Sequence, residues 1–238
     1  MWLSAAPVLK PLSLFVMPNL NAYLDLSSQV AEHNAVLVAV SKRQSMDDIR
    51  KLYEAGHRDF GENYVQELVD KYEALPKDIR WHFIGTLQRN KVKYIAPFVH
   101  LIHGVDSLKL AHEIDKRGQQ HGRIINALLQ VDVTDEDTKH GFSAKQLVEL
   151  MEGEEIHRLA WMRPSGIMGM GTNTNDESQI TKDFARLAEL FEKVKTRYYD
   201  RRPDWSILST GMSADYALAL AQGSTMLRVG SLIFGERD

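Results

Sequence analysis

Eight short runs of apolar, β-branched residues recur along this chain, and seven of them lead into a segment with helical spacing. The first, VLVAVS at 36–41, precedes MDDIRKLYEAG, where Ile49, Leu52 and Tyr53 share a helical face and Gly56 ends it. HRDFGEN (57–63) is followed by a helix over 62–74, and WHFIG (81–85) by a shorter one. LIHGVD (101–106) precedes a helix that opens at Ser107 and carries Leu108, Leu110, Ala111 and Ile114. ALLQVDV (127–133) runs into an acidic loop and then a helix that Ser143 caps. SGIMGM (165–170) precedes the clearest helix, with Ile180, Phe184, Leu187, Phe191 and Val194 on one face. SILST (206–210) leads to a helix over 213–221, and TMLRVG (225–230) closes the series.

Strands that alternate with helices pair in parallel, and eight such units in about 220 residues specify a single TIM-type (β/α)8 barrel. No helix follows the eighth run; a helix over 20–33, ahead of the first strand, is expected to cover that part of the sheet. A doubly wound open sheet is the rival. It would place a Gly-rich turn after the first strand, where this chain has SKRQS. No linker or low-complexity tract divides the chain, so the barrel is expected over 19–238. Residues 1–18 read as an N-terminal extension, apolar but broken by Pro7, Lys10 and Pro11 and without the basic start of a signal segment. Met17 is an alternative start.

The lack of any cysteine removes disulfides, thiolate metal sites and a cysteine nucleophile, and suits a reducing, cytoplasmic setting. A net charge of −3, from 29 Lys and Arg against 32 Asp and Glu, lacks the basic excess of a nucleic-acid binder. No apolar run exceeds six residues, as at 35–40, against the ~20 a membrane helix needs. The nine histidines show no metal-ligand spacing. His112 and His121 lie in or after a helix, and His100 and His103, three apart on a strand, point to opposite faces. Arg89, Lys91 and Lys93 read as a solvated helix face.

In such barrels function gathers at the C-terminal ends of the strands, and two of those ends carry most of the chemistry here. The seventh is Ser209-Thr210-Gly211-Met212-Ser213. Gly211 lets backbone approach a ligand. Ser213 stands where a helix begins, so its hydroxyl and the free N–H groups of the first turn make an anion site. The eighth, Arg228-Val229-Gly230-Ser231, adds further N–H groups, and loops seven and eight are the usual phosphate cup of this architecture. Read plainly, Gly211 is a tight turn and Ser213 an N-cap. Lys42, at the end of the first strand, reads plainly as a solvated lysine. At a barrel mouth, near a second cation such as Arg228, it becomes an amine nucleophile for a carbonyl. An amine facing a phosphate cup suggests a phosphorylated aldehyde held as a Schiff base, of which pyridoxal phosphate is the common one. Arg228 could face the ring nitrogen or, read plainly, pair with a neighbouring acid.

The motifs VAVSK, FGENYVQE, WHFIGTLQRNK, IHGVDS, TKHGF, GIMGM, LSTGMSADY and GSTMLRVGSLIFGER together resemble the YggS/PROSC family of pyridoxal phosphate homeostasis proteins. That family's fold is similar to the barrel domain of bacterial alanine racemase. The motifs run from Val38 to Arg237, most of the chain. The resemblance implies that Lys42 holds pyridoxal 5'-phosphate as a Schiff base, with Asn63 of the GEN motif beside it. It implies a phosphate site from Ser213 and the backbone around Gly211, Gly230 and Ser231, with Ser209 and Met212 as further cofactor-binding candidates. By similarity to alanine racemase, Arg228 faces the pyridine nitrogen. A guanidinium can only donate, so that nitrogen stays unprotonated and the ring is a weaker electron sink. Three positions depart from the family's usage: Thr210 for methionine, Asp132 for asparagine and Ile167 for leucine.

The resemblance implies a monomeric, cytoplasmic protein that binds pyridoxal phosphate, limits free aldehyde and passes the cofactor on, with pyridoxal-phosphate-dependent apo-enzymes as recipients. The rival is a racemase-type enzyme acting on amino acids. Racemisation needs an acid–base group on each face of the substrate Cα. Alanine racemase takes the second from another domain of its partner subunit, and this chain ends at Asp238 without such a domain, which favours binding over catalysis. Tyr64 or Lys139 could still supply a base. Lys139, the one lysine in the fifth loop, could equally offer a second amine for handing the aldehyde on, or pair at the surface with Asp135 or Asp137. A cofactor-free isomerase of sugar phosphates would leave Lys42 without a role.

Overall fold

The computed structural model describes residues 18–134, 141–201 and 203–235. The expected extension, Pro18 apart, therefore lies outside the described residues, as does Lys139. The apolar runs form the strands β1 (Val36–Val40), β2 (Asp59–Glu62), β3 (Arg80–Phe83), β4 (Leu101–Val105) and β5 (Ile125–Asp132). A two-residue strand, β6 (Phe142–Ser143), precedes β7 (Met162–Met168), β8 (Ile207–Ser209) and β9 (Met226–Val229). All pairings are parallel. Strand β1 pairs with both β2 and β9, and β4 pairs with β5, so eight strands close into a (β/α)8 barrel. Closure removes the open-sheet rival. The ninth strand, β6, extends the end of β5, an addition that two residues of sequence do not announce.

Around the barrel lie α1 (Leu20–Glu32), α2 (Met46–Glu54), α3 (Val65–Ala74), the short α4 (Val92–Ile95), α5 (Leu108–Gln120), α6 (Ala144–Glu152), α7 (Glu177–Tyr198), α8 (Tyr216–Ala221) and α9 (Ser231–Phe234). Ser107 caps α5, and Ser143 forms a capping box with Gln146 on α6, each hydroxyl accepting from a first-turn N–H that has no partner within the helix. The five residues predicted on one face of α7 are all buried.

Two expectations need correction. Ser213 does not begin a helix: Met212 N–H donates to Asp215 Oδ1 (2.6 Å) and closes a turn, so α8 starts only at Tyr216. The last strand is followed by a helix after all, the one-turn α9. The N-terminal α1 docks beside it, with Asn19 N–H donating to Ile233 O (2.7 Å), and buries Tyr23, Leu26 and Val30.

Strand alternation divides the core in two. Outward-facing residues such as Phe60, Trp81, Phe83 and Leu227 pack against the helices in one large cluster. Inward-facing Val38, Leu101, Leu128, Met168 and Met226 form a separate, smaller one. The remaining interior is polar: Asp59, His82, His103, Ser209 and Arg228 are all buried there.

Candidate functional site

At the C-terminal ends of the strands lies a cavity of about 620 Å³. Lys42 follows β1 and Asn63 follows β2. Met212 and Ser213 come from the loop after β8, and Gly230 and Ser231 from the end of β9, while the nearly buried Arg228 reaches the cavity from within β9. These are seven of the nine predicted cofactor residues. Ser209 and Gly211 do not line the cavity. Ser209 is fully buried. Gly211 has φ +84°, and a Cβ there would stand 2.5 Å from Ala219 Cβ and 2.9 Å from Leu227 Cδ2. Conformation and the packing behind the loop both require glycine here.

The segment carrying Lys42 is fixed from behind. Lys71 of α3, buried, donates from Nζ to Ser41 O (2.7 Å), Glu62 Oε1 (2.8 Å) and Glu67 Oε1 (2.7 Å). Ser41 Oγ donates to the same Glu62 oxygen at 2.5 Å. Burial pushes the Glu62 carboxyl up to about 6, against the opposing pull of Lys71 and Ser41. Arg43, the residue after Lys42, sits at φ +60°, a region costly for a residue with a Cβ, and its N–H donates to Glu67 Oε1 (2.5 Å). Lys71 thus clamps the ends of β1 and β2 immediately before Lys42 and Asn63. A lysine in mid-helix reads as solvated, so this clamp is not visible from residue order alone.

Across the cavity, the N–H groups of Ser213, Ala214 and Ser231 have no partner among the described residues, while Gly230 N–H donates to Ser213 Oγ (3.2 Å). Asn63 Oδ1 is buried and likewise unpartnered. Arg228 makes no ion pair among the described residues. It donates from Nη1 to Ser209 O (2.8 Å) and Ser209 Oγ (2.6 Å), and from Nη2 to Gly169 O (3.2 Å). Burial lowers the guanidinium to about 10, with Asp215 opposing, so it stays a cation and a pure donor at neutral pH.

Residues 19–238 match the family described as alanine racemase, N-terminal domain. The chain is 39% identical over 207 residues to the pyridoxal phosphate homeostasis protein of Aquifex aeolicus, covering 87% of this chain and 89% of that one. It is 36% identical over 229 residues to the pyridoxal phosphate homeostasis protein of Schizosaccharomyces pombe, covering 93% and 94%. The chain belongs to the pyridoxal phosphate homeostasis protein family. The solved structure of PipY from Synechococcus elongatus with pyridoxal phosphate bound superposes at a TM-score of 0.81, with 32% identity over 90% of this chain and 99% of that one.

The three departures from the family's usage lie outside the cavity lining. Thr210 is buried, with its N–H on Ser224 Oγ (3.4 Å), Ile167 belongs to the core, and Asp132 accepts from Thr134 N–H and Oγ1. Tyr64 is half exposed, accepts from Arg43 Nη2 (3.4 Å) and does not line the cavity. Among the described residues, one group has the types and proximity of a metal site, Asp59, His82 and His100, which the spacing of His100 and His103 did not suggest. Both Asp59 oxygens are engaged there by Arg80, and one also by His82. No helix among the described residues is long and apolar enough to cross a membrane.

Proposed function

We propose that this chain is a carrier of pyridoxal 5'-phosphate that serves its homeostasis, with Lys42 as the amine that takes the aldehyde. One observation carries the reading: a single lysine amine faces unpartnered N–H donors and an unpartnered buried oxygen across a cavity of about 620 Å³, within the range of small-molecule sites. The donor set fits the group. Ser213 and the N–H groups of Ser213, Ala214 and Ser231 suit a phosphate dianion, and among the described residues no acidic side chain lines the cavity to repel it. Asn63 offers an acceptor. Arg228, which can only donate, would offer the ring nitrogen a donor and so disfavour its protonation. When bound, the cofactor would supply an aldehyde electrophile, and Lys42 is the side chain placed to offer it an amine.

Racemisation needs two acid–base groups. Apart from Arg228, Lys42 is the one titratable side chain lining the cavity among the described residues, which supports holding over turnover. Delivery to pyridoxal-phosphate-dependent apo-enzymes by a cytoplasmic monomer completes the reading. The test is the absorption spectrum of the purified chain with pyridoxal phosphate, followed by borohydride reduction and peptide mass mapping. We expect a visible band and a pyridoxyl adduct on Lys42, both lost in Lys42→Ala. A colourless, unmodified protein, or an adduct confined to other lysines, would refute the assignment.

A further inference from the structure

A column of hydrogen bonds crosses the barrel interior, from Arg228 at the cavity to Asp59 at the opposite, N-terminal ends of the strands. Arg228 Nη1 lies 2.6 Å from Ser209 Oγ, and that oxygen 3.4 Å from His103 Nδ1. His103 Nε2 lies 3.0 Å from His82 Nδ1, and His82 Nε2 3.0 Å from Asp59 Oδ1. Arg80 closes the far end, donating to both Asp59 oxygens at 2.7 and 2.5 Å. Ser209, His103 and His82 are fully buried, and none of them lines the cavity. Val38, Leu101, Leu128, Met168 and Met226 form an apolar cluster in the same interior, and burying polar groups there is costly unless each finds its partner.

The hydrogens can be assigned by counting. Burial raises the Asp59 carboxyl, but hydrogen bonds from Arg80 and His82 outweigh it and hold it well below the usual carboxylate range. It is therefore an acceptor only, so His82 Nε2 bears a hydrogen. Burial above all, with the Arg228 charge adding to it, holds His103 well below the usual imidazole range, so its ring is neutral with one N–H. Arg228, a pure donor, occupies the Ser209 oxygen, so the Ser209 hydroxyl donates to His103 Nδ1, His103 Nε2–H donates to His82 Nδ1, and His82 Nε2–H donates to Asp59. Each link then holds one hydrogen, and all donors point from Arg228 toward Asp59.

We propose that His82 and His103 are positioning residues for Arg228: they turn the Ser209 hydroxyl hydrogen away from the guanidinium, so that the Ser209 oxygen accepts from it and fixes its orientation toward the cavity. The proposal rests on the pyridoxal phosphate reading of that cavity for its consequence, since the charge and donors beside the ring set the cofactor's spectrum.

Two measurements test it. Long-range 15N–1H spectra of the labelled, cofactor-free full chain read the ring tautomers directly. We expect an Nε2–H, Nδ1-bare form for both His82 and His103; an Nδ1–H form of His103 would overturn the proposal. The second is the pH titration of the visible band in the cofactor-loaded parent, Asp59→Asn, His103→Phe and His103→Gln. We expect the midpoint to move by about 0.5 pH unit or more in His103→Phe and by a smaller amount in Asp59→Asn. In His103→Gln, whose amide can accept from Ser209 and donate to His82, it returns part of the way. The Lys42 adduct persists throughout. Midpoints all within about 0.1 pH unit of the parent would overturn the column's role while leaving the cofactor assignment intact. A parent without a band sinks the cofactor assignment, and the tautomer spectra still decide the column.

Discussion

Gly85, two residues beyond β3, presses on the backbone that carries Asn63. A Cβ at Gly85 would stand 2.3 Å from Asn63 O, 2.9 Å from Asn63 Cα and 3.0 Å from Asn63 C. All three are backbone atoms, so no side chain can swing aside. Ordinary contact begins near 3.4 Å, so Gly85→Ala must part the two segments by about 1 Å, an overpacking that costs ~1–3 kcal/mol. For a chain of this size each kcal/mol lowers Tm by roughly 2–4 °C, which sets the expected fall at about 2–12 °C. The strain also reaches the cavity, because Asn63 and Ile84 both line it. Loss of one well-placed hydrogen bond, ~1.4 kcal/mol, weakens pyridoxal phosphate binding about tenfold. Thermal unfolding of the cofactor-free chain by circular dichroism and a spectral titration with pyridoxal phosphate read the two effects separately. Gly153→Ala is the control, since its nearest neighbours would stand 3.5 and 3.6 Å away and its φ is −74°; its Tm should stay within about 1 °C of the parent. Parental Tm and affinity in Gly85→Ala would refute the reasoning.

Two buried carboxylates give further outcomes. Asp59 has a depressed carboxyl pKa in the folded chain, so its stabilisation is full above the unfolded value near 4 and drains away as pH falls below it; the Tm gap between parent and Asp59→Asn should be widest at neutral pH and should narrow in acid. Asp183, fully buried on α7, accepts from Thr172 N–H (2.9 Å), Thr172 Oγ1 (2.7 Å) and Gln179 Nε2 (2.9 Å). Asp183→Ala leaves those donors unpaired at a cost of ~1–3 kcal/mol, and amide exchange at Thr172 should quicken. Unchanged protection there would count against the tether.

Most of the architecture was legible because it rests on short-range signals. The eight apolar runs, the serines before α5 and α6, and the buried face of α7 each declare themselves within a dozen residues. The start of α8 was misread because Asp215 can cap a turn as readily as a helix, and the choice depends on which N–H it meets. The cavity residues were legible as strand ends, yet Ser209 and Gly211 stand behind the lining rather than in it. Which side of a strand end faces the cavity is fixed by barrel register, as in the pairing of Ser209 with Met226. The polar column was beyond reach for the same reason. His82 and His103 are 21 residues apart, and they meet only because β3 and β4 pair as His82 to Leu101. Lys71 was missed because its acceptors arrive from β1 and β2 as well as from its own helix.

Closure of the barrel between β1 and β9 also sets an order of events during synthesis. Lys42 leaves the ribosome early, and Gly230 and Ser231 leave it last among the residues that line the cavity. At ~5–20 residues per second, about 10–40 s separate the amine from the loop that completes its site. On the proposed reading, an aldehyde that reached Lys42 in that interval would meet the amine alone, with no phosphate seat to retain it. Cofactor loading would then be an event of the closed barrel, begun when β9 docks against β1.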